Sequence, residues 1–149
     1  MKVLIQRSGK SNVSIDGAVY NEIESGLVVF SCFTQGDTSS DIDYIVRKIV
    51  NLRIFDDENG VMNKSVLDVG GSILSISQFT LYADTVKGNR PSYLKALKGD
   101  ESTILYDEFN EKLREHVPCV TGKFGADMKV NILNDGPVTI IIDSKENGK

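Results

Sequence analysis

The sequence predicts an α+β domain: a mostly antiparallel, barrel-like sheet core with two main helices packed on it. Three observations lead there. β-like runs outnumber helical ones and follow one another as hairpin neighbours. One segment, around Ile45, repeats apolar residues at helical spacing, and a second does so around Phe109. The 149 residues, 40% of them hydrophobic, suit one domain over 1–143 with a tail at 144–149 that should fray. A domain of this size buries roughly 70% of its unfolded surface and needs no metal or disulfide staple.

The elements follow in order. "KVLIQRS" at 2–8 alternates partly and reads as a strand. "NVSIDGAVYNEI" places Asp16-Gly17 between two β-like runs, a strong hairpin signal. "GLVVFSCF" at 26–33 is the nearly continuous apolar run of a buried strand. Ile42, Ile45, Val46, Ile49 and Val50 then fall at i, i+3, i+4, i+7 and i+8, one face of a helix. Thr38 and Asp41 form its capping box, with Asp in place of Glu. "RIF" at 53–55 suits a short strand and "DDENG" a turn. Gly70-Gly71 opens "SILSISQFTL" at 72–81, a strand with Ile73, Ser75, Ser77 and Phe79 on one face and Leu74, Ile76, Gln78 and Thr80 on the other. No "GK[ST]" follows those glycines, so they read as a turn rather than a phosphate loop. A second helix is predicted from near Asp100 to Val117, where Pro118 stops it. A strand at 127–133 follows. "NDGP" at 134–137 turns the chain and "VTIIID" runs back.

Charge and composition restrict the function. A net charge of −4 disfavours wrapping long nucleic acid over the whole surface. A local basic patch remains: "KGNRPSYLKALK" carries Lys87, Arg90, Lys95 and Lys98, either as a solvated loop and helix start or as a phosphate-contact surface. Cys32 and Cys119 read as reduced thiols of a cytoplasmic protein. The first residues have too short an apolar stretch for a signal peptide, and no run is long enough to span a membrane. The only histidine, His116, sits at a predicted helix end, so any Ser-His-Asp or Cys-His arrangement would have to be built on it. Zinc ligands at suitable spacing are too few. No nucleotide fingerprint appears, and Asp56-Asp57-Glu58 reads as a solvated turn. No metal or cofactor is implied. An enzyme so equipped suits a substrate that is already activated, such as an aminoacyl ester of a ribose. The protein then supplies orientation and backbone N–H donors.

"SQFTL" at 77–81 and "NDGPVT" at 134–139 resemble the paired signatures of the D-aminoacyl-tRNA deacylase family. "VLIQR", "GLVVF", "RIF" followed by "GVMN", "KGNRPSY" and "GKFGADM" extend the resemblance over almost the whole chain. Two departures stand out: Val61, where members often carry Lys, and Ser31-Cys32, near which members often carry a Leu-Gly-type pair.

The resemblance implies hydrolysis of D-aminoacyl-tRNA, and of mischarged glycyl-tRNA, by a homodimer with its active site at the subunit interface. It implies that Ser77, Gln78, Phe79 and Thr80 line the pocket for the terminal adenosine and the ester. It implies that Gly136-Pro137 is cis and enters the partner's pocket, held by Arg7. Glycine lets the backbone approach closely and proline makes cis accessible. An L side chain would then strike that backbone while a D side chain faces open space. Thr80 reads either as a nucleophile, for which no base is visible, or as a pocket residue beside an attacking water assisted by the ribose hydroxyl. Backbone N–H groups around Gln78 and Phe79 are candidate oxyanion donors. Ser77 and Phe79 have alternative readings as plain strand and core residues. Phe124 and Met128 either wall the pocket or pack the core. Lys87 and Arg90 become candidate contacts to acceptor-stem phosphates. A non-catalytic nucleic-acid-binding module and a small-molecule esterase are the competing readings.

Overall fold

The structure is a computed structural model that describes residues 1–146. Its strands are β1 (Lys2–Ser8), β2 (Ser11–Ile15), β3 (Ala18–Ile23), β4 (Gly26–Cys32), β5 (Phe55–Asp56), β6 (Met62–Lys64), β7 (Ser72–Ser77), β8 (Cys119–Thr121), β9 (Lys129–Asn131) and β10 (Asn134–Asp143). Its helices are α1 (Ser39–Asn51) and α2 (Gly99–Arg114). The large sheet has the order β10-β1-β4-β7-β8, a second sheet the order β3-β2-β9, and β5-β6 form a separate hairpin. The fold is α+β, with no closed barrel. β10 and β8 end the large sheet without pairing to each other, so the barrel-like expectation is corrected to two facing sheets.

Local chemistry explains the elements. Asp16 and Gly17 both have positive φ, 52° and 80°, as a two-residue hairpin turn between β2 and β3 requires. The capping box of α1 forms: Ser40 N–H donates to Thr38 Oγ1 at 3.3 Å, and Thr38 N–H donates to Asp41 Oδ2 at 2.9 Å. The α1 stripe is buried, with Ile42, Ile45 and Ile49 fully inaccessible. Leu27 and Val29 of β4 and Ile73 of β7 share that core with Phe109 and Leu113 of α2. The alternate residues Val28, Leu74 and Ile76 point the other way and pack on Val13 and Ile23 of the small sheet. Each fully buried aliphatic side chain stabilises by roughly 1.5–3 kcal/mol. The two core clusters therefore clamp both faces of β4 and β7.

Several boundaries differ from the sequence reading. β4 and β7 are parallel, as are β7 and β8. Each pair is joined through a helix, the crossover that parallel neighbours need. α2 ends at Arg114 and hands over through Glu115, short of Val117. The strand expected over 72–81 stops at Ser77, and residues Phe79–Tyr82 coil into a 3₁₀ turn. Gln78 N–H makes the last bond to β4, at Ser31 O, just before β4 itself ends at Cys32. β9 does not pair with the segment after it. It pairs with β2, while β10 pairs with β1. The whole of "NDGPVTIIID" is thus strand rather than turn plus strand. The tail is also pinned beyond 143: Ser144 is fully buried, its N–H donating to Met1 O at 2.9 Å and its Oγ to Asp41 Oδ1 at 2.7 Å. Residues 147–149 lie outside the described residues. Among those described, no helix is long and apolar enough to cross a membrane.

Candidate active site

A cavity of about 300 Å³ opens at the C-terminal ends of the parallel strands β4 and β7. Strand ends are where open sheets with helical crossovers place ligands, because the chain leaves the sheet there and exposes backbone. Ser31 and Cys32 at the end of β4 and Phe33 after it line the cavity, as do Ser77 at the end of β7 and Gln78 and Phe79 after it. The start of α2 contributes Gly99 and Ser102, and the loop after β8 contributes Phe124. Phe79 is 52% exposed, and its ring meets Tyr93 edge-on at 5.1 Å. Phe124 packs at 5.7 Å on Tyr106, whose hydroxyl donates to Ser75 O at 2.9 Å. Of the residues singled out from the sequence, Ser77, Gln78, Phe79 and Phe124 meet here.

Its polar groups are few. Gln78 N–H is engaged by Ser31 O at 2.8 Å, so it is not a free oxyanion donor, which corrects that half of the sequence reading. The N–H groups of Phe79 and Thr80 open the 3₁₀ turn, where no carbonyl of the turn reaches them. Gln78 Nε2 donates to Thr80 Oγ1 at 2.6 Å. An amide nitrogen is no base, and Thr80 Oγ1 hydrogen-bonds no carboxylate, imidazole or amine among the described residues. Cys32 Sγ lies 3.4 Å from Phe79 O. Burial pushes its thiol up to about 11, so it is neutral at physiological pH.

The second element lies on β10. The register runs Gln6↔Thr139, then Ser8↔Asn134, so residues 135–138 bulge opposite Arg7 alone. The Gly136-Pro137 peptide bond within the bulge is cis, and Gly136 has φ +122°. Both residues are exposed. Arg7 is 9% exposed and braces the bulge from below. Its Nε donates to Asp135 O at 3.2 Å and its Nη1 to Ile54 O at 2.7 Å. The carboxylates of Asp135 and Asp56 stand 3.3 and 3.6 Å away. A Cβ on Gly136 would lie 3.0 Å from Arg7 Nη2 and from Val138 N. Gly136 and Pro137 do not line the cavity of their own chain.

The remaining candidates separate from the cavity. Met128 packs with the core cluster between the sheets, and its sulfur fills the space beside Gly122, so the core reading holds for it. Lys87 and Arg90 are exposed on the connection before α2, where Lys95 pairs with Asp84 at 3.5 Å. His116 borders a shallow groove between α1 and α2, with Asp43, Arg47 and Lys112. No group of three or more His, Cys, Asp or Glu side chains among the described residues is placed to hold a metal ion. The sequence reading missed Ser31, Cys32, Phe33 and Ser102 as cavity residues. The available signal was a hydroxyl and a thiol ending an otherwise apolar strand.

Comparison with known proteins places the chain in a family. The family model described as D-Tyr-tRNA(Tyr) deacylase matches residues 4–143. A solved structure titled c-Myc DNA Unwinding Element Binding Protein is similar at 39% identity and TM-score 0.91, covering 96% of this chain and 98% of that one. A structure described as a probable eukaryotic D-amino acid tRNA deacylase shares the fold at 18% identity and TM-score 0.81, with 95% and 97% coverage.

Proposed function

This chain belongs to the D-Tyr-tRNA(Tyr) deacylase family, and on that ground we propose how it selects and cleaves its substrate, and that it does so in the cytoplasm. As a D-aminoacyl-tRNA deacylase it is a hydrolase of the ester between an amino acid and the terminal ribose of tRNA. The proposed site is shared by two subunits, and mischarged glycyl-tRNA is a second substrate.

One observation carries the reading. A cavity poor in ionisable groups, and a backbone element braced by Arg7, sit in one chain without meeting. Two copies related by a twofold axis let each supply what the other's cavity lacks. The terminal adenosine enters between the Phe79 and Phe124 rings, which offer flat apolar surface. The ester carbonyl faces the start of the 3₁₀ turn. Water attacks it, the neighbouring ribose hydroxyl assists, and the N–H groups of Phe79 and Thr80 take the developing oxyanion. The ribose oxygen leaves with a proton and the amino acid is free. Thr80 holds Gln78 in place and is not itself acylated.

Chirality is read by the partner's Gly136-Pro137 backbone. Its carbonyl oxygens accept from the aminoacyl ammonium. With ammonium and carbonyl both fixed, an L side chain runs into the backbone and a D side chain points outward. Glycine has nothing to exclude. Lys87 and Arg90 reach the acceptor-stem phosphates.

Similarity at 39% identity to a c-Myc DNA Unwinding Element Binding Protein favours a second reading, a nucleic-acid-binding module without turnover. One experiment separates them: purified protein is mixed with D-Tyr-tRNA and with L-Tyr-tRNA and free tyrosine is followed. Release from the D substrate alone is expected. Equal rates contradict the chiral mechanism, and binding without release favours the second reading.

A further inference from the structure

Ser31 is 2% exposed, and its Oγ has no hydrogen-bond partner. Buried hydroxyls in native proteins are nearly always paired, because an unpaired one forfeits its bond to water. Ser8 and Ser75 also carry unpaired buried hydroxyls, but neither borders the cavity. Ser31 does. It is the register partner of Ser77 on the adjacent parallel strand, so the two side chains leave the same face of the sheet, strand spacing apart. The walls around them are largely apolar, with the rings of Phe33, Phe79 and Phe124. An exposed lysine, Lys98, is the one cation among the lining residues.

A flat ring with a neutral polar edge fits such a space. The rings cover its faces, and a buried uncharged hydroxyl donates to a ring nitrogen or accepts from an exocyclic amine. A phosphate would need charge that the strand end does not supply. We infer that Ser31 Oγ hydrogen-bonds the polar edge of the purine that enters the cavity, making Ser31 a positioning residue for the terminal adenosine. The inference rests on the assignment of this cavity to that adenosine, and it adds a contact on β4 to those at the end of β7.

The test is direct binding of adenosine 5′-monophosphate, and of the monophosphates of purine riboside, 1-deazaadenosine and 7-deazaadenosine, to wild type and Ser31→Ala by calorimetry. Ser31→Ala should bind adenosine monophosphate ~5- to 10-fold more weakly, the size of one neutral hydrogen bond. At least one analogue lacking the contacted group should erase that difference to within about twofold. The variant should melt no lower than wild type, because it loses an unpaired hydroxyl and little volume. Unchanged affinity for adenosine monophosphate overturns the inference, as does an equal loss on all four nucleotides, or no binding by wild type. Turnover of D-Tyr-tRNA is measured alongside. A Ser31-dependent pattern of binding without turnover leaves the base contact standing and removes the deacylase mechanism.

Discussion

Arg7 lies directly beneath Gly136: a Cβ added to the glycine would stand 3.0 Å from the arginine's Nη2. Arg7 is the single residue of β1 that faces the four-residue bulge 135–138, and its guanidinium bonds the bulge at Asp135 O and the body of the domain at Ile54 O. Bulges re-aim a strand locally, and this one carries exposed backbone away from the sheet edge. Rigid support from below suits the selectivity role proposed for this backbone, since a backbone that yields excludes nothing.

Gly136→Ala is expected to lower D-aminoacyl-tRNA turnover by about 100-fold or more, for two reasons. The methyl meets Arg7 Nη2 and Val138 N, and a φ of +122° is strained for alanine. Stability should fall by about 1–3 kcal/mol, leaving the protein folded. Circular dichroism melts and single-turnover kinetics separate the two effects. Unchanged turnover argues against close approach of this backbone to the substrate.

Arg7→Lys should behave as a loss rather than a conservative change. One ammonium cannot bond Asp135 O and Ile54 O together as the planar fork does. The ion pairs matter less, since Asp56 and Asp135 are 55% and 64% exposed. A loss of about 1–3 kcal/mol is expected from the buried Ile54 carbonyl left unpaired, together with faster amide exchange over 134–139. Wild-type exchange in the lysine variant would show that the fork is dispensable.

Thr80→Ala is expected to keep turnover within about tenfold of wild type, since its hydroxyl takes a hydrogen bond from Gln78 Nε2 and meets no base. Mass spectrometry of a quenched reaction should find no acylated protein. A collapse of turnover together with a trapped acyl-enzyme in wild type would make Thr80 the nucleophile.

Most of the scaffold was readable from the sequence because local chemistry decided it. The α1 stripe, the Thr38-Asp41 capping box and the Asp16-Gly17 hairpin each depend on residues close in the chain. The errors arose where long-range pairing decides. β10 pairs with β1 across the whole chain rather than with its neighbour β9, and no local pattern contains that choice. The same holds for Ser77, where the strand stops because β4 offers no further partner. About a third of the cavity lining, Ser77, Gln78, Phe79 and Phe124, was legible from "SQFTL" and "GKFGADM". Ser31 and Cys32 were not, because a polar pair closing an apolar strand looks like ordinary strand fraying until β7 is laid beside it.

The two thiols make stability depend on alkaline pH. Burial raises both Cys32 and Cys119 from about 9 to about 11. Between those values the unfolded chain loses the thiol protons while the folded chain keeps them. Stability therefore falls as pH rises through this window, and below pH 9 the contribution is fully present. The stability difference between wild type and Cys119→Ala should shrink from pH 9 to pH 11 by roughly 1 kcal/mol per unit at most, as read from urea melts. A difference independent of pH would contradict the assignment of the buried thiol.

One subunit's Gly136-Pro137 is proposed to complete the other's cavity, and mixed dimers test this most directly. Gly136→Ala chains and Ser77→Phe chains, whose cavity is filled, are each expected to be inactive as homodimers. After unfolding, mixing in equal amounts and refolding, half the dimers should be mixed, each with one site in which both halves are intact. Recovery of about a quarter of wild-type D-Tyr-tRNA turnover is the expected result. No recovery, with mixed dimers demonstrated by native mass spectrometry, would contradict the account.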